Sequence, residues 1–129
     1  EWCNLGANTS CSNLKNNVTE VKVWLEARGE AVPAGLKCGV LMGDYSRCGI
    51  NTMLNTGTVI GVSCNVFGGH FPPKFLPSFS GGDQQRYRVP EALRDAGNWM
   101  ALKGHHLPEK DKQLLEAVYE LTTRQDLKI

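Results

Sequence analysis

The sequence predicts a mainly β protein, a left-handed parallel β-helix of hexapeptide repeats with a C-terminal α-helical tail. Three observations support this: a six-residue repeat in the centre of the chain, a Pro- and Gly-rich segment that ends the repeat, and apolar residues at helical spacing near the C-terminus. We therefore divide the chain into a β-helix over residues 1–71 with an inserted excursion at 14–35, an extended strap at 72–88 and a helical tail at 89–129.

The repeat begins at Met42 and runs through five consecutive blocks of six residues. A strand period of two or a helix period of 3.6 does not produce such spacing. In a triangular coil of three hexads, the first residue of each block points into the prism, and Gly in the second position relieves a tight corner. The apolar first positions are Met42, Cys48, Leu54, Ile60 and Val66.

A Gly-rich antiparallel sandwich is the alternative for this region. It would need strict alternation of apolar and polar residues, and its hairpins favour Asn-Gly or Asp-Gly turns. The sequence has neither feature, so we favour the parallel coil.

Two helical patterns follow the strap. Leu93, Ala96 and Met100 recur at helical spacing, and a second pattern begins after Pro108 with acidic residues in its first turn. We expect both helices to pack against the rest of the chain or against a neighbouring subunit. The predicted apolar face of the second helix is Leu114, Leu115, Val118, Leu121 and Thr122.

The composition argues against several classes of function. Lys and Arg number 14 and Asp and Glu 13, so the net charge of +1 indicates neither nucleic acid nor an anionic membrane as a partner. No apolar run approaches the ~20 residues of a membrane span.

The five cysteines are odd in number, and no two of them are spaced as Cys-x-x-Cys. This pattern predicts reduced thiols, no metal site and a cytoplasmic protein. Because the pattern starts at once after Glu1, we expect a fragment of a longer protein.

Residues 4–13, Asn-Leu-Gly-Ala-Asn-Thr-Ser-Cys-Ser-Asn, resemble a segment of the bifunctional sugar-1-phosphate uridylyltransferase/glucosamine-1-phosphate acetyltransferases. Residues 42–69 resemble the hexad run that follows that segment. The chain is still more similar to a variant group of sugar nucleotidyltransferases, which continue into Phe-Pro-x-x-Phe-x-Pro-Ser-Phe-Ser, as residues 71–80 do here. The resemblance implies a transferase of sugar nucleotide biosynthesis that forms homotrimers and carries its nucleotidyltransferase domain upstream of this chain.

The resemblance also implies two sets of binding residues. The family's Tyr beside acetyl-CoA is replaced by Leu14, and its Ser by Ile50, so acetyl-CoA is only weakly supported as a cofactor. The family's catalytic His would lie upstream of Asn4, which leaves no catalytic residue assigned here. The implied residues are Asn4 and Lys22 for sugar phosphate, and Asn13, Gly49, Ile50 and Gly68 for acyl-CoA.

Three functions remain open. The first is the C-terminal β-helix domain of a sugar-phosphate nucleotidyltransferase-like protein with acyltransferase ancestry, which mediates trimerisation and binds acyl-CoA, a sugar phosphate or, in the full-length protein, a nucleotide sugar. The second is an active hexapeptide-repeat acetyltransferase acting on an amino-sugar phosphate, with its general base upstream. The third is a non-enzymatic β-helix scaffold. We favour the first, because none of the three histidines matches a general base of the family.

Overall fold

The computed structural model describes residues 1–82 and 85–126, which form ten strands and two helices. Residues 83–84 of the predicted strap and 127–129 of the predicted tail lie outside the described residues. The strands are β1 (Asn4–Leu5), β2 (Ser10–Cys11), β3 (Lys22–Leu25), β4 (Glu30–Pro33), β5 (Leu41–Met42), β6 (Arg47–Cys48), β7 (Met53–Leu54), β8 (Val59–Ile60), β9 (Asn65–Val66) and β10 (Phe75–Leu76). The helices are α1 (Val89–Leu102) and α2 (Glu109–Asp126).

The strands assemble into four small sheets. Two sheets have three parallel strands, in the orders β1-β6-β9 and β10-β8-β5, and β2 and β7 form a parallel pair. Leu41 pairs with Val59 and Arg47 with Asn65, an offset of 18 residues in both cases. The fourth sheet is the antiparallel hairpin of β3 and β4.

This arrangement contradicts the predicted left-handed parallel β-helix. Within residues 1–82 and 85–126 the sheets remain separate, and none closes or winds into a solenoid. Each parallel strand is only two residues long, so pairing ends before a continuous sheet can develop. The excursion at 14–35 adds an antiparallel hairpin, which a hexad repeat does not predict.

Turn residues in the left-handed conformation explain why these strands are short. Asn8 and Asn51 have φ of 61° and 57°, and Asn tolerates this region well. The Asn8 side-chain amide donates to the Asn51 Oδ1 at 2.7 Å, which joins two turns. Tyr45 and Phe79 have φ of 60° and 62°, and such strain costs about 1–3 kcal/mol for a non-Gly residue. Packing must therefore hold these aromatic residues in place.

The glycines after the apolar repeat positions are required by close backbone approach. A Cβ on Gly43 would lie 2.6 Å from the carbonyl carbon of Gly61, and a Cβ on Gly61 would lie 2.4 Å from the backbone nitrogen of Ser78. Both distances are far below a van der Waals contact. Glycine at these positions therefore lets neighbouring turns stack.

Two apolar cores stabilise the chain. The strand core consists of Cys48, Leu54, Ile60, Cys64, Val66 and Leu76. The helical core joins Phe79 to Ala92, Ala96, Met100, Leu107 and Leu115. The Phe79 ring also meets the Tyr119 ring edge-on, with centroids 5.1 Å apart. The helices thus cover strand turns of their own chain.

Helix α2 buries a narrower face than its pattern predicts. Leu115 and Thr122 are buried, whereas Leu114 and Leu121 are 62% and 61% exposed. The prediction is therefore wrong for these two leucines. The reason is geometric, because one contact face of a helix excludes positions about 100° away from it.

Replacing Ile60 by Asp should prevent folding. Ile60 is 2% exposed and pairs with Met42 on one side and Leu76 on the other. An unpaired buried carboxylate costs several kcal/mol, comparable with a total stability of about 5–15 kcal/mol. Circular dichroism melting is the measurement, and Leu36→Asp at a 53% exposed position is the matched control. Similar melting of the two variants would contradict the placement of Ile60 in the core.

Candidate functional site

A polar groove lies between helix α1 and the sheet β1-β6-β9. Its volume is about 330 Å³. Asn4 pairs with Arg47 in the sheet, and Arg47 pairs with Asn65, so the three residues form one row on the same face. Helix α1 supplies the opposite wall. The polar and aromatic side chains that line the groove are Asn4, Arg47, Asn65, Asp95, Asn98 and Trp99.

A chain of hydrogen bonds connects the two walls. Arg47 is only 7% exposed, and its Nη2 donates to the Tyr87 hydroxyl at 3.2 Å. The Tyr87 hydroxyl in turn donates to the Asp95 carboxylate. Asp95 also accepts a bond from Arg94 Nε at 2.9 Å. Charge on one wall is therefore linked to charge on the other through a single hydroxyl.

The titration of these groups fixes the charge of the groove. Burial and the hydrogen bond to Asp95 raise the pKa of Tyr87 to about 12, so its hydroxyl remains a donor at neutral pH. Burial alone would raise the pKa of Asp95, but the hydrogen bonds from Tyr87 and Arg94 outweigh burial and lower it below the ordinary value. The groove consequently combines a stable carboxylate with a guanidinium, which is always charged.

Cys48 also borders the groove, beside Gly49. Its thiol is buried, and burial raises the pKa of Cys48 to about 11. A thiol is a poor nucleophile until it loses its proton, so Cys48 is suited to packing rather than to covalent chemistry at neutral pH.

The arrangement offers hydrogen-bonding, charged and apolar partners that suit a hydroxylated, anionic ligand. Three side-chain amides, of Asn4, Asn65 and Asn98, offer donors and acceptors, and the Asp95 carboxylate accepts from hydroxyl groups. The Trp99 indole provides an apolar surface, and Arg47 provides positive charge for an anion. None of the three histidines lines this groove, so it lacks the usual general base for acyl transfer.

Only Asn4 and Gly49, among the residues implied by the resemblance, line this groove. They were expected in different sites, one for sugar phosphate and the other for acyl-CoA. Lys22, the second residue expected to contact sugar phosphate, is exposed at the start of the hairpin and pairs with Pro33.

The other residues expected to contact acyl-CoA are dispersed. Asn13 is exposed, and its carbonyl accepts a bond from the Cys38 backbone nitrogen at 2.9 Å. Ile50 is 70% exposed next to the polar groove. Gly68 borders a different cavity of about 280 Å³, together with His70.

Sequence reasoning missed most of the groove. Arg47 and Asn65 each precede the first apolar residue of a hexad, 18 positions apart, and this polar recurrence is the signal that could have found them. Tyr87, Asp95 and Trp99 have no comparable signal, because their place depends on how the helices dock.

Neither a scan against models of protein families nor a search of curated proteins finds a match for this chain. In the described part of the chain, no helix is long and apolar enough to span a bilayer. The same residues contain no group of three or more His, Cys, Asp or Glu side chains placed to hold a metal ion.

Replacing Tyr87 by Phe should destabilise the fold by about 1–2 kcal/mol at neutral pH, because Asp95 and Arg47 lose their shared partner. The lowered pKa of Asp95 means that its contribution is present above the ordinary carboxyl pKa of about 4 and is lost as pH falls through the folded-state value. The difference between parent and variant should therefore shrink in acid.

Urea unfolding at neutral pH and well below the ordinary carboxyl pKa measures this difference. Tyr119→Phe is the matched control, because the Tyr119 ring packs against Phe79 rather than in the groove. A difference that grows in acid would show that the Tyr87 hydroxyl does not stabilise ionised Asp95.

Proposed function

We propose that this chain is the sugar-phosphate-binding domain of a sugar nucleotidyltransferase-like protein with acyltransferase ancestry, and that it also assembles the subunits. The observation that carries the proposal is the groove in which Asn4, Arg47 and Asn65 face Asp95 and Trp99. The resemblance of residues 4–13 supports the same ligand class, since the family's sugar-phosphate Asn falls on Asn4.

Each wall of the groove has a separate part in binding. The phosphate lies beside Arg47, whose bond to Tyr87 uses one of the five donors of a guanidinium. The sugar hydroxyls donate to Asp95 and exchange hydrogen bonds with the amides of Asn4 and Asn65. The apolar face of the sugar ring rests on the Trp99 indole. In the full-length protein, the same groove would accept the sugar phosphate part of a nucleotide sugar.

The chain alone binds rather than catalyses in this proposal. Nucleotidyl transfer belongs to the upstream domain implied by the resemblance. Acetyl-CoA binds weakly or not at all, because Leu14 and Ile50 replace the polar residues of the family. We also propose a cytoplasmic location, which the odd cysteine count without Cys-x-x-Cys spacing supports.

Exposed apolar side chains support the assembly role. Leu5 lies in β1, while Ile50 and Phe67 follow β6 and β9, so all three lie in or just after the strands of one sheet. Their exposed fractions are 52%, 70% and 54%. Exposed apolar side chains are suited to contacts between protein copies, and a closed ring would bury the same residues of every copy. We propose the homotrimer that the resemblance implies.

Sugar phosphate binding is tested by calorimetric titration with N-acetylglucosamine 1-phosphate, glucose 1-phosphate and inorganic phosphate. Asn4→Ala and Asn65→Ala should each weaken binding about tenfold, which corresponds to ~1.4 kcal/mol for one lost hydrogen bond. Asn16→Ala, at an exposed position outside the groove, is the matched control. The chain has three tryptophans, so the fluorescence change that is lost in Trp99→Phe gives a second readout of the same groove.

Two results would contradict the proposed site. One is the absence of saturable binding of either sugar phosphate to the parent chain, and the other is an equal loss of affinity in Asn16→Ala. Acetyl-CoA should bind weakly or not at all in the same titration, and glucosamine 1-phosphate should remain unacetylated. Turnover would instead favour the active acetyltransferase.

The trimer is tested by light scattering, which should give a mass three times the 14.2 kDa of one chain. Ile50→Glu should dissociate the assembly by placing a charge at an exposed apolar position that the trimer would bury, with the circular dichroism spectrum unchanged. Leu102→Glu, at a position 71% exposed in helix α1, is the control and should leave the mass unchanged. A monomeric parent chain at micromolar concentration would contradict the trimer.

A further inference from the structure

A second groove lies between helix α1 and the segment that leads into α2. Its volume is about 510 Å³, within the ~300–1,000 Å³ range of small-molecule sites. Asn98 borders both this groove and the polar groove, and together with Arg94 it is exposed on the ridge of α1. Asn98 is the one described lining residue that the two grooves share, so we treat the second groove as a separate site. Its role does not rest on the proposed function.

The second groove is basic. Arg94 and Lys112 contribute positive charge, His105 and His106 contribute imidazole groups, and none of the described residues that line it is acidic. Arg94 contacts the Asp95 carboxylate through both Nε and Nη2. Its Nη1 is then the nitrogen that can donate hydrogen bonds to a ligand in the groove. Lys112 Nζ lies 3.7 Å from the Glu109 carboxylate, an exposed pair that a stronger anion can displace.

Gly97 lies in this groove, in the interior of α1. Glycine in a helix interior is destabilising relative to Ala. A Cβ on Gly97 would have no neighbouring atom within 4 Å, so packing within the chain does not require glycine there. Glycine leaves an open floor next to Ala101, where a ligand could lie against the helix.

We propose that this groove binds a nucleotide. The flat base lies across the open floor at Gly97, against the apolar side chains of Leu93 and Leu107. The phosphate is held by Arg94 and Lys112. A planar, partly apolar body matches a floor without a side chain, and the anionic end matches the positive charges of Arg94 and Lys112.

Titration with AMP, adenosine and inorganic phosphate tests this site in the full chain. AMP should bind at least about tenfold more tightly than either of its parts, because both the floor and the cations contribute. Gly97→Leu should weaken AMP binding by at least about tenfold while raising the melting temperature, since Leu favours helix and fills the floor. Ala117→Leu, exposed on α2, is the matched control and should leave AMP affinity unchanged.

Each other outcome overturns the proposal. Equal affinities for AMP and phosphate would show a basic surface without a base-binding floor. Unchanged AMP affinity in Gly97→Leu would show that the floor is not used, and a lowered melting temperature would show that glycine is structural. Displacement of AMP by N-acetylglucosamine 1-phosphate would show that the two ligands share one groove, and would leave the sugar phosphate site as the only one.

Discussion

The parallel pairing of β6 with β1 on one side and with β9 on the other is the constraint on which the candidate site depends. It places Asn4, Arg47 and Asn65 in one row, so the polar wall is positioned by backbone register. A register shift of one residue would turn Arg47 toward the core and Cys48 toward the groove. The pairs contain only two residues each, and close stacking at turns such as Gly43 is needed to maintain them.

The other wall depends on a strained aromatic residue. Phe79 has a φ of 62°, yet it is completely buried between the strand turns and the helices. It shares the helical core with Ala96 and Met100 of helix α1, and its edge-on contact with Tyr119 joins it to α2. Helix α1, which supplies one wall of the groove, is therefore positioned by the helical core.

The sequence contained more information about the strands than about their assembly. Strands β5 to β9 begin at six-residue intervals, and the apolar first positions of the hexads are the second residues of these strands. Two helices lie in the region of helical spacing. The predicted left-handed β-helix was nevertheless wrong, because the partner of a two-residue strand is decided by contacts across tens of residues. The β3–β4 hairpin likewise interrupts the repeat.

The candidate site shows the same limit. Asn4 and Gly49 are implied by the resemblance and line the groove, whereas Arg47 was not predicted, although a polar residue recurs 18 positions later at Asn65. Asp95 and Trp99 could not be found locally, since the rotation of α1 against the strands is set by its buried face.

The protonated thiol of Cys48 has a practical consequence for labelling the molecule. Thiolates, and not thiols, attack alkylating reagents, so a buried thiol with a pKa of about 11 reacts slowly at neutral pH. Cys3 and Cys11 are exposed instead. A fluorophore or spin label would attach to these two surface positions first and leave the sulfur of the groove unmodified. The natural cysteines thus provide spectroscopic handles without any substitution.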